Sequence, residues 1–195
     1  MEDYHVLSMD TIDSKAEDHG VALHVDNVAW AKQQMWAPDA NEKNGKYYLF
    51  FPAKDYNNIF RIGVAVSNSP TGPFIAQPKP ISRSFSIDPA VFRDDDNSYY
   101  MYFGGLWGGQ LQRWREGYFN SDKPESPTAF IPNDDETALL PFVAKMNDGL
   151  LEFDGAKWNF YVVPDKSPVR SVKVINNKIY TGSFMDFGFW EKDLH

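Results

Sequence analysis

The stretch Asn44-Gly-Lys-Tyr-Tyr-Leu-Phe-Phe51 decides the fold, because its pattern returns twice along the chain. Asn97-Ser-Tyr-Tyr-Met-Tyr-Phe103 and Gly155-Ala-Lys-Trp-Asn-Phe-Tyr-Val162 also read as a polar turn followed by an aromatic strand. Superposing Tyr47 on Tyr99 gives an offset of 52 residues. A period of about 50 residues, with short strands and no helical pattern, is typical of β-propeller blades. The sequence therefore predicts an all-β propeller.

The same offset places Asp88 on Trp36 and Pro89 on Ala37. Because the strands that begin propeller blades face the central axis, Asp88 is expected at the axial end of its strand, within reach of Trp36. The alternative is that Asp88 caps a turn before Pro89, which is a common use of this dipeptide. Asp39 lies in a similar setting and is interpreted as a turn residue.

Other segments fit the same architecture. Tyr47 to Phe51 and Ile62 to Ser67 are predicted strands. The glycines of residues 104–109 indicate a backbone that comes close to a ligand or to another loop. The polar, acidic residues 115–138 are expected on the surface. Residues 156–195 lose the repeat and turn net positive, so we interpret them as a divergent or disturbed tail of one incomplete propeller domain spanning residues 1–195.

Composition excludes several classes of function. The 195 residues are 43% hydrophobic, with 27 acidic and 19 basic side chains and a net charge of -8. Without a basic run, nucleic acid is not a predicted partner. The absence of Cys excludes disulfides, thiolate catalysis and Cys-based zinc sites. The chain has neither a long apolar run nor a start resembling a signal peptide, so no membrane partner is predicted, and the sequence leaves the location of the protein open.

Carboxylates and aromatic rings are the chemistry that remains. The motifs of serine hydrolases, nucleotide-binding P-loops and zincins do not occur. Acids that move protons and flat rings that stack on sugar faces are what glycoside cleavage requires. Trp36, Trp107 and Trp114 are therefore either core residues or sugar platforms. Asp94-Asp-Asp96 is interpreted as a solvated turn; a calcium ion in oxygen ligands is the lesser reading, and no other cofactor is predicted.

Four ordered motifs over roughly residues 4–155 resemble glycoside hydrolase family 43. They are Met35-Trp-Ala-Pro-Asp39, Asn44-Gly-Lys-Tyr-Tyr48, Val66-Ser-Asn-Ser-Pro-Thr-Gly-Pro-Phe74, and Ile87-Asp-Pro89 followed by Phe103-Gly-Gly105. The resemblance implies a five-bladed β-propeller that hydrolyses xylosides or arabinosides of plant polysaccharides with inversion. Five blades of about 50 to 60 residues need about 300 residues, so this chain is expected to cover three to four blades.

The resemblance also implies roles for individual residues. Asp88 would position the general acid and raise its pKa, because a nearby like charge disfavours ionisation of a second carboxyl. Trp36 would line the sugar site. Phe103 and Gly104 would lie beside the pore and, with Trp107, on the substrate side.

The other two acids of the family are not matched in the same way. The general base would lie upstream of the segment at residues 4–23. The general acid would be a Glu in a phenylalanine-rich setting, for which Glu191 is the loose candidate. We therefore expect an inverting glycosidase in the intact parent and little or no activity in this chain. The alternative is a non-catalytic carbohydrate-binding propeller, and the sequence predicts no oligomeric state.

Overall fold

The computed structural model describes most of the chain, and the described part is built from β-strands. The described residues are 1–106, 110–116, 118–120, 131–136, 139, 142–154, 171–175, 178–182 and 187–191. Helical structure within them is limited to two short 3-10 helices, Val25–Asn27 and Leu111–Trp114. The all-β prediction is confirmed for this part of the chain. The third aromatic repeat, residues 155–162, lies outside the described residues.

The strands group into four antiparallel sheets. In chain order they are β1 (Asp3–Ser8), β2 (Glu17–His24), β3 (Ala31–Gln33), β4 (Asp39–Lys43), β5 (Lys46–Asp55), β6 (Phe60–Ser67), β7 (Ile75–Ala76), β8 (Ala90–Arg93), β9 (Tyr99–Phe103), β10 (Phe142–Lys145), β11 (Ser171–Ile175), β12 (Lys178–Gly182) and β13 (Phe187–Glu191). The sheets are β1-β2, β4-β5-β6-β7, β8-β9-β10 and β11-β12-β13, and β3 also pairs with β5. No helix in the described ranges is long and apolar enough to cross a bilayer.

The predicted repeat is visible in two of these sheets. The aromatic strands β5 and β9 are each the second strand of their unit. A turn joins β5 to the shorter strand β4 before it, and another joins β9 to the shorter strand β8. The two units differ in the connection after the aromatic strand. Residues 56–59 connect β5 to β6, whereas residues 104–141 lie between β9 and β10. This longer connection begins with the glycines singled out in the sequence.

Both faces of the β4-β5-β6-β7 sheet are buried, as expected for a blade between two neighbours. Side chains of a strand alternate between its faces, and β5 follows this rule. Leu49 and Phe51 pack in a first core cluster with the β1-β2 hairpin, while Tyr48 and Phe50 pack in a second cluster with β8, β9 and β10. The sheet therefore stacks face to face on units at either side.

Gly63 of β6 lets Trp30 lie against the sheet. A Cβ atom at position 63 would come within 2.4 Å of Trp30 Cζ2 and 2.9 Å of Phe51 Cζ. The rings of Trp30 and Phe51 stack with centroids 5.8 Å apart and an interplanar angle of 14°. The missing side chain makes room for this pair in the first core cluster.

β5 is longer than the sequence indicated, because it continues through Pro52. Proline lacks an N–H group and normally ends the ladder of an internal strand. Here β4 pairs with Lys46 to Phe50 and β3 pairs with Lys54 and Asp55, so Pro52 lies in the gap between them. Its carbonyl oxygen still accepts a hydrogen bond from the Trp36 backbone N–H, at 3.1 Å. This bond holds Trp36, three residues before β4, beside the gap.

Candidate active site

The first strands of the two repeats, β4 and β8, lie side by side and run in the same direction. At one end, an Asp39 carboxylate oxygen accepts a hydrogen bond from the Val91 N–H at 2.5 Å. At the other end, the Tyr99 hydroxyl donates to the Glu42 carbonyl oxygen at 3.2 Å, and Tyr99 pairs with the last residue of β8. The two strand starts therefore lie together. The prediction that Asp39 belongs to a turn is wrong, because it is the first residue of β4.

Trp36 and Asp88 precede these neighbouring strand starts, so they lie at the same end of the sheets. Trp36 stands three residues before Asp39, and Asp88 stands three residues before Val91. The hydrogen bond from Val91 to Asp39 spans 52 positions, which is the offset of the sequence repeat. The repeat thus brings the equivalent positions of the two units next to each other.

Trp36 has a fixed backbone and a partly exposed ring. Its N–H donates to Pro52, and its carbonyl oxygen accepts a hydrogen bond from the Tyr4 hydroxyl at 2.5 Å. Burial raises the pKa of Tyr4, so this hydroxyl stays a donor over the whole neutral range. The ring of Trp36 contacts that of Phe60, with centroids 4.6 Å apart and planes at 47°. This arrangement leaves part of the indole available to a ligand.

Asp88 is exposed and adopts a left-handed backbone conformation, with φ of 57°. Left-handed residues that are not glycine cost of order 1–3 kcal/mol and cluster at functional sites. The carboxylate of Asp88 accepts no hydrogen bond from the described part of the chain, so the turn-cap interpretation finds no support. The contrast is with Asp94 and Asp96, whose carboxylates accept from the N–H groups of Asp95 and Ser98, both at 2.8 Å.

The glycine pair Gly104 and Gly105 packs against the residues that lead into Asp88. The Gly104 N–H donates to the Ile87 carbonyl oxygen at 3.1 Å, and the Gly105 N–H donates to Ser86 Oγ at 2.8 Å. A Cβ atom at Gly105 would lie 2.8 Å from Ile87 Cγ1 and 3.7 Å from Asp88 Oδ2. The sequence predicted that these glycines lie close to a ligand or to another loop, and the structure shows them against the loop that leads into Asp88.

Contacts connect this glycine pair to the ring that lies against Trp36. The Phe60 N–H donates to Gln110 Oε1 at 3.2 Å, and the following residue, Leu111, donates its N–H to the Gly105 carbonyl oxygen at 3.0 Å. Gln110 is buried and has φ of 65°. The start of the connection after β9 therefore joins the Trp36 side of the site to the Asp88 side.

The Asp88→Asn variant is expected to unfold at a higher temperature than the wild type at pH 7, and at a similar temperature at pH 3. Although Asp88 is exposed on one side, partial burial raises its pKa above the ordinary value of 3.8. The folded chain therefore binds this proton more tightly than the unfolded chain, and ionisation removes stability as the pH rises from the unfolded pKa through the folded one. Asparagine has no charge and tolerates positive φ. Thermal unfolding at both pH values measures the effect; a lower Tm than wild type at pH 7 would contradict it.

Phe103 is a core residue, so the prediction that it contacts substrate is wrong. Its side chain is 3% exposed. Its ring stacks on those of Phe142 and Phe153, with centroids 5.6 and 5.8 Å apart, and meets the edge of Phe85 at 5.9 Å. Strand alternation in β9 turns this position inward. The Trp114 ring stacks on that of Phe85, with centroids 3.9 Å apart, which favours the core alternative for this residue.

The remaining predicted site residues have different outcomes. Gly104 lies at the loop described above, with φ of 136°, a conformation that favours glycine. Trp107 lies outside the described residues. Glu191 is the last residue of β13, in the separate sheet β11-β12-β13, and its side chain is not among the described parts. The roles of Trp107 and Glu191 stay predictions.

The described residues give no support to a metal centre. Among them, no group of three or more His, Asp or Glu side chains could hold a metal ion. The acidic run at Asp94 to Asp96 instead binds the N–H groups of its own turn. The carboxylates of this run therefore stabilise the turn that joins β8 to β9.

Asp39 and Asn41 were missed by the reasoning from sequence. The Asn41 side-chain amide donates to the Val91 carbonyl oxygen at 3.0 Å, which complements the bond from Val91 to Asp39. A signal was present: the offset of the repeat places Asp39 on Val91, and Asp39 and Asn41 are polar residues at alternate positions. The proline before Asp39 suggests a turn and hides this strand pattern.

Comparison with known proteins gives one consistent family. The model of the glycosyl hydrolases family 43 matches residues 16–129. The xylosidase/arabinosidase 43A of Humicola insolens is 54% identical over 155 residues, which cover 78% of this chain and 47% of that protein. A β-xylosidase of Xylanibacter ruminicola is 42% identical over 204 residues, covering 100% of this chain and 62% of its own length. The chain therefore spans about half to three fifths of these relatives.

A solved structure agrees with this assignment. A family 43 β-xylosidase/α-arabinofuranosidase from a compost microbial metagenome, in complex with xylotriose, matches with a TM-score of 0.80 and 46% identity. The match covers 93% of this chain and 58% of that one. Sequence and structure therefore point to the same group of proteins.

Proposed function

Because the chain belongs to family 43 of the glycosyl hydrolases and forms part of a five-bladed β-propeller, we propose that it carries part of the active site of an inverting glycosidase. The proposed substrates are xylosides or arabinosides of plant polysaccharides. One observation supports this most directly. The Asp88 carboxylate stands just before β8, the first strand of its unit, partly desolvated and without a hydrogen bond from the described residues, at the same end of the sheets as Trp36.

The proposed role of Asp88 is electrostatic. In an inverting glycosidase one carboxylic acid protonates the leaving oxygen while a carboxylate activates the attacking water. A third negative charge nearby disfavours ionisation of the acid, which then keeps its proton to a higher pH. A carboxylate already bound to backbone N–H groups would have much of its charge compensated. The Asp88 carboxylate accepts no such bond from the described residues, so it can act on a neighbouring carboxyl.

The proposed role of Trp36 is to support the sugar. Flat aromatic rings present an apolar face that matches the C–H face of a sugar ring. The backbone of Trp36 is held by Pro52 and Tyr4, and one part of its indole packs on Phe60. The exposed part is thereby fixed before a ligand arrives, which lowers the entropic cost of binding.

The test is a chimera in which this chain replaces the matched segment of the Humicola insolens xylosidase/arabinosidase, so that the rest of the propeller is supplied by the relative. The chimera is expected to hydrolyse aryl β-D-xyloside or aryl α-L-arabinofuranoside, and the intact relative is the positive control. A chimera that folds, as judged by circular dichroism and a cooperative melt, yet turns over neither substrate would refute the proposal.

The second candidate is a non-catalytic carbohydrate-binding propeller. It is favoured by one observation: the ring of Trp36 is partly exposed, and stacking on a sugar requires no acid or base. The same chimera separates the two functions. Binding of xylotriose by calorimetry without turnover of either aryl substrate would support the binding protein, whereas turnover would exclude it.

A further inference from the structure

We propose that Asp39 is a positioning residue for Asp88, acting through the backbone of Val91. The inference rests on the proposed function, since it assigns a role to Asp39 within the same site. It begins with the two peptide groups of Val91. The N–H donates to the Asp39 carboxylate at 2.5 Å, and the carbonyl oxygen accepts from the Asn41 amide at 3.0 Å.

These two bonds replace a missing strand partner. β8 pairs with β9 along one edge, and both peptide groups of Val91 point to the opposite edge, toward β4. Val91 is 8% exposed, so unpaired groups there would be buried without water. The alternating side chains of Asp39 and Asn41 meet the donor and the acceptor in turn. The start of β8 is therefore fixed to the neighbouring blade by side chains.

Asp88 lies between this anchor and a second one. On the upstream side, Ser86 Oγ and the Ile87 carbonyl oxygen are bound by Gly105 and Gly104. On the downstream side, Ala90 pairs with Tyr102 of the same sheet, and Val91 is the first residue held by the neighbouring unit. The left-handed conformation of Asp88 precedes Pro89, and proline disfavours helical backbone angles in the residue before it. Such a conformation persists where the surrounding structure holds it from both sides.

The upstream anchor belongs to the same unit as Asp88, whereas Asp39 belongs to the preceding one. Movement of β8 relative to β4 would carry Asp88 away from Trp36, which is attached to the β4 side through Pro52. Asp39 is therefore one of the contacts that fix the separation between Asp88 and Trp36. A misplacement of about 1 Å in an active site is enough to lower turnover strongly.

The first arm of the test uses the 195-residue chain and needs no activity. In Asp39→Ala, hydrogen exchange at the Val91 amide is expected to accelerate by about tenfold or more, since the amide loses its acceptor. The ¹³C carboxyl titration of Asp88 is expected to move toward the ordinary pKa, because a displaced loop admits water. Asp39→Asn, which keeps an acceptor oxygen, should restore both readings. If Asp39→Ala does not fold, Asp39→Val, which also lacks an acceptor but suits a strand, replaces it in the same two measurements.

The second arm uses the active chimera. Asp39→Ala is expected to lower kcat by about tenfold or more and to move the alkaline limb of the pH profile to lower pH, because a displaced Asp88 no longer raises the pKa of the general acid. Asp39→Asn should recover most of the rate. Val28→Ala, in the first core cluster, is the control for lost stability and should leave the pH profile unchanged. An Asp39→Ala chain with unchanged Val91 exchange and Asp88 titration would overturn the inference. A chimera without activity would refute the proposed function alone, because the first arm still decides the role of Asp39.

Discussion

The 195-residue chain is expected to hydrolyse neither aryl β-D-xyloside nor aryl α-L-arabinofuranoside above the uncatalysed rate. Inversion requires an acid and a base placed on opposite sides of the scissile bond. Each proton transfer is worth about 10²- to 10⁴-fold in rate, so loss of both removes most of the catalysis. The chain matches the position of Asp88, and Asp88 is neither the acid nor the base in the proposed mechanism. Release of nitrophenol, followed over hours at high protein concentration, measures the residual rate.

The control for this expectation is the chimera, assayed at the same concentration. Turnover by the chimera but not by the 195-residue chain would show that the relative supplies the missing acid and base. Robust turnover by the 195-residue chain would contradict the expectation. It would show that the chain carries its own general acid and base. Glu191 would then be the first position to replace by glutamine.

The Phe51→Ala variant is expected to lower the free energy of unfolding by about 3–5 kcal/mol, the range for large core aromatic residues. Phe51 is fully buried, stacks on Trp30 at 5.8 Å and meets the edge of Tyr4 at 6.3 Å. Because Tyr4 belongs to β1, the variant also loosens the β1-β2 hairpin from the sheet. Urea denaturation measures the change as a lower midpoint at an unchanged m-value.

Tyr56→Ala is the matched control for this variant. Tyr56 is an aromatic residue in the β5-β6 turn and is 67% exposed. Its replacement is expected to change the free energy of unfolding by less than about 0.5 kcal/mol, as is usual at exposed positions. If Phe51→Ala cost as little as the control, the first core cluster would not hold the hairpin to the sheet.

Local patterns in the sequence predicted much of the fold. The polar turns and aromatic strands gave β5 and β9, because strand propensity and turn chemistry act over a few residues. The offset of 52 residues placed Trp36 and Asp88 at equivalent positions, and the structure places them at the same end of adjacent strands. Gly104 and Gly105 were expected to lie close to another loop, and a Cβ atom at Gly105 would indeed lie 2.8 Å from Ile87 Cγ1.

Other features depend on contacts that local patterns do not encode. Phe103 follows the alternation of β9 into the core, but the adjacent glycines made it look like a pore residue. β5 passes through Pro52 because β3 and β4 leave a gap there, which only the sheet order reveals. The proline before Asp39 suggests a turn, whereas the partner that holds Asp39 in a strand contact, Val91, lies 52 residues away. Each difference depends on contacts between residues that are distant in the sequence.

The pH–rate profile of Asp88→Asn in the chimera tests the central claim most directly. If Asp88 raises the pKa of the general acid, removal of its charge lets the acid ionise at lower pH, so the alkaline limb of kcat moves downward. Trp36→Ala should instead weaken sugar binding by about 1–3 kcal/mol, by analogy with stacking on other flat ligands, with the limbs of the profile in place. An Asp88→Asn chimera with the wild-type rate and an unshifted alkaline limb would contradict the claim and leave Asp88 with a structural role alone.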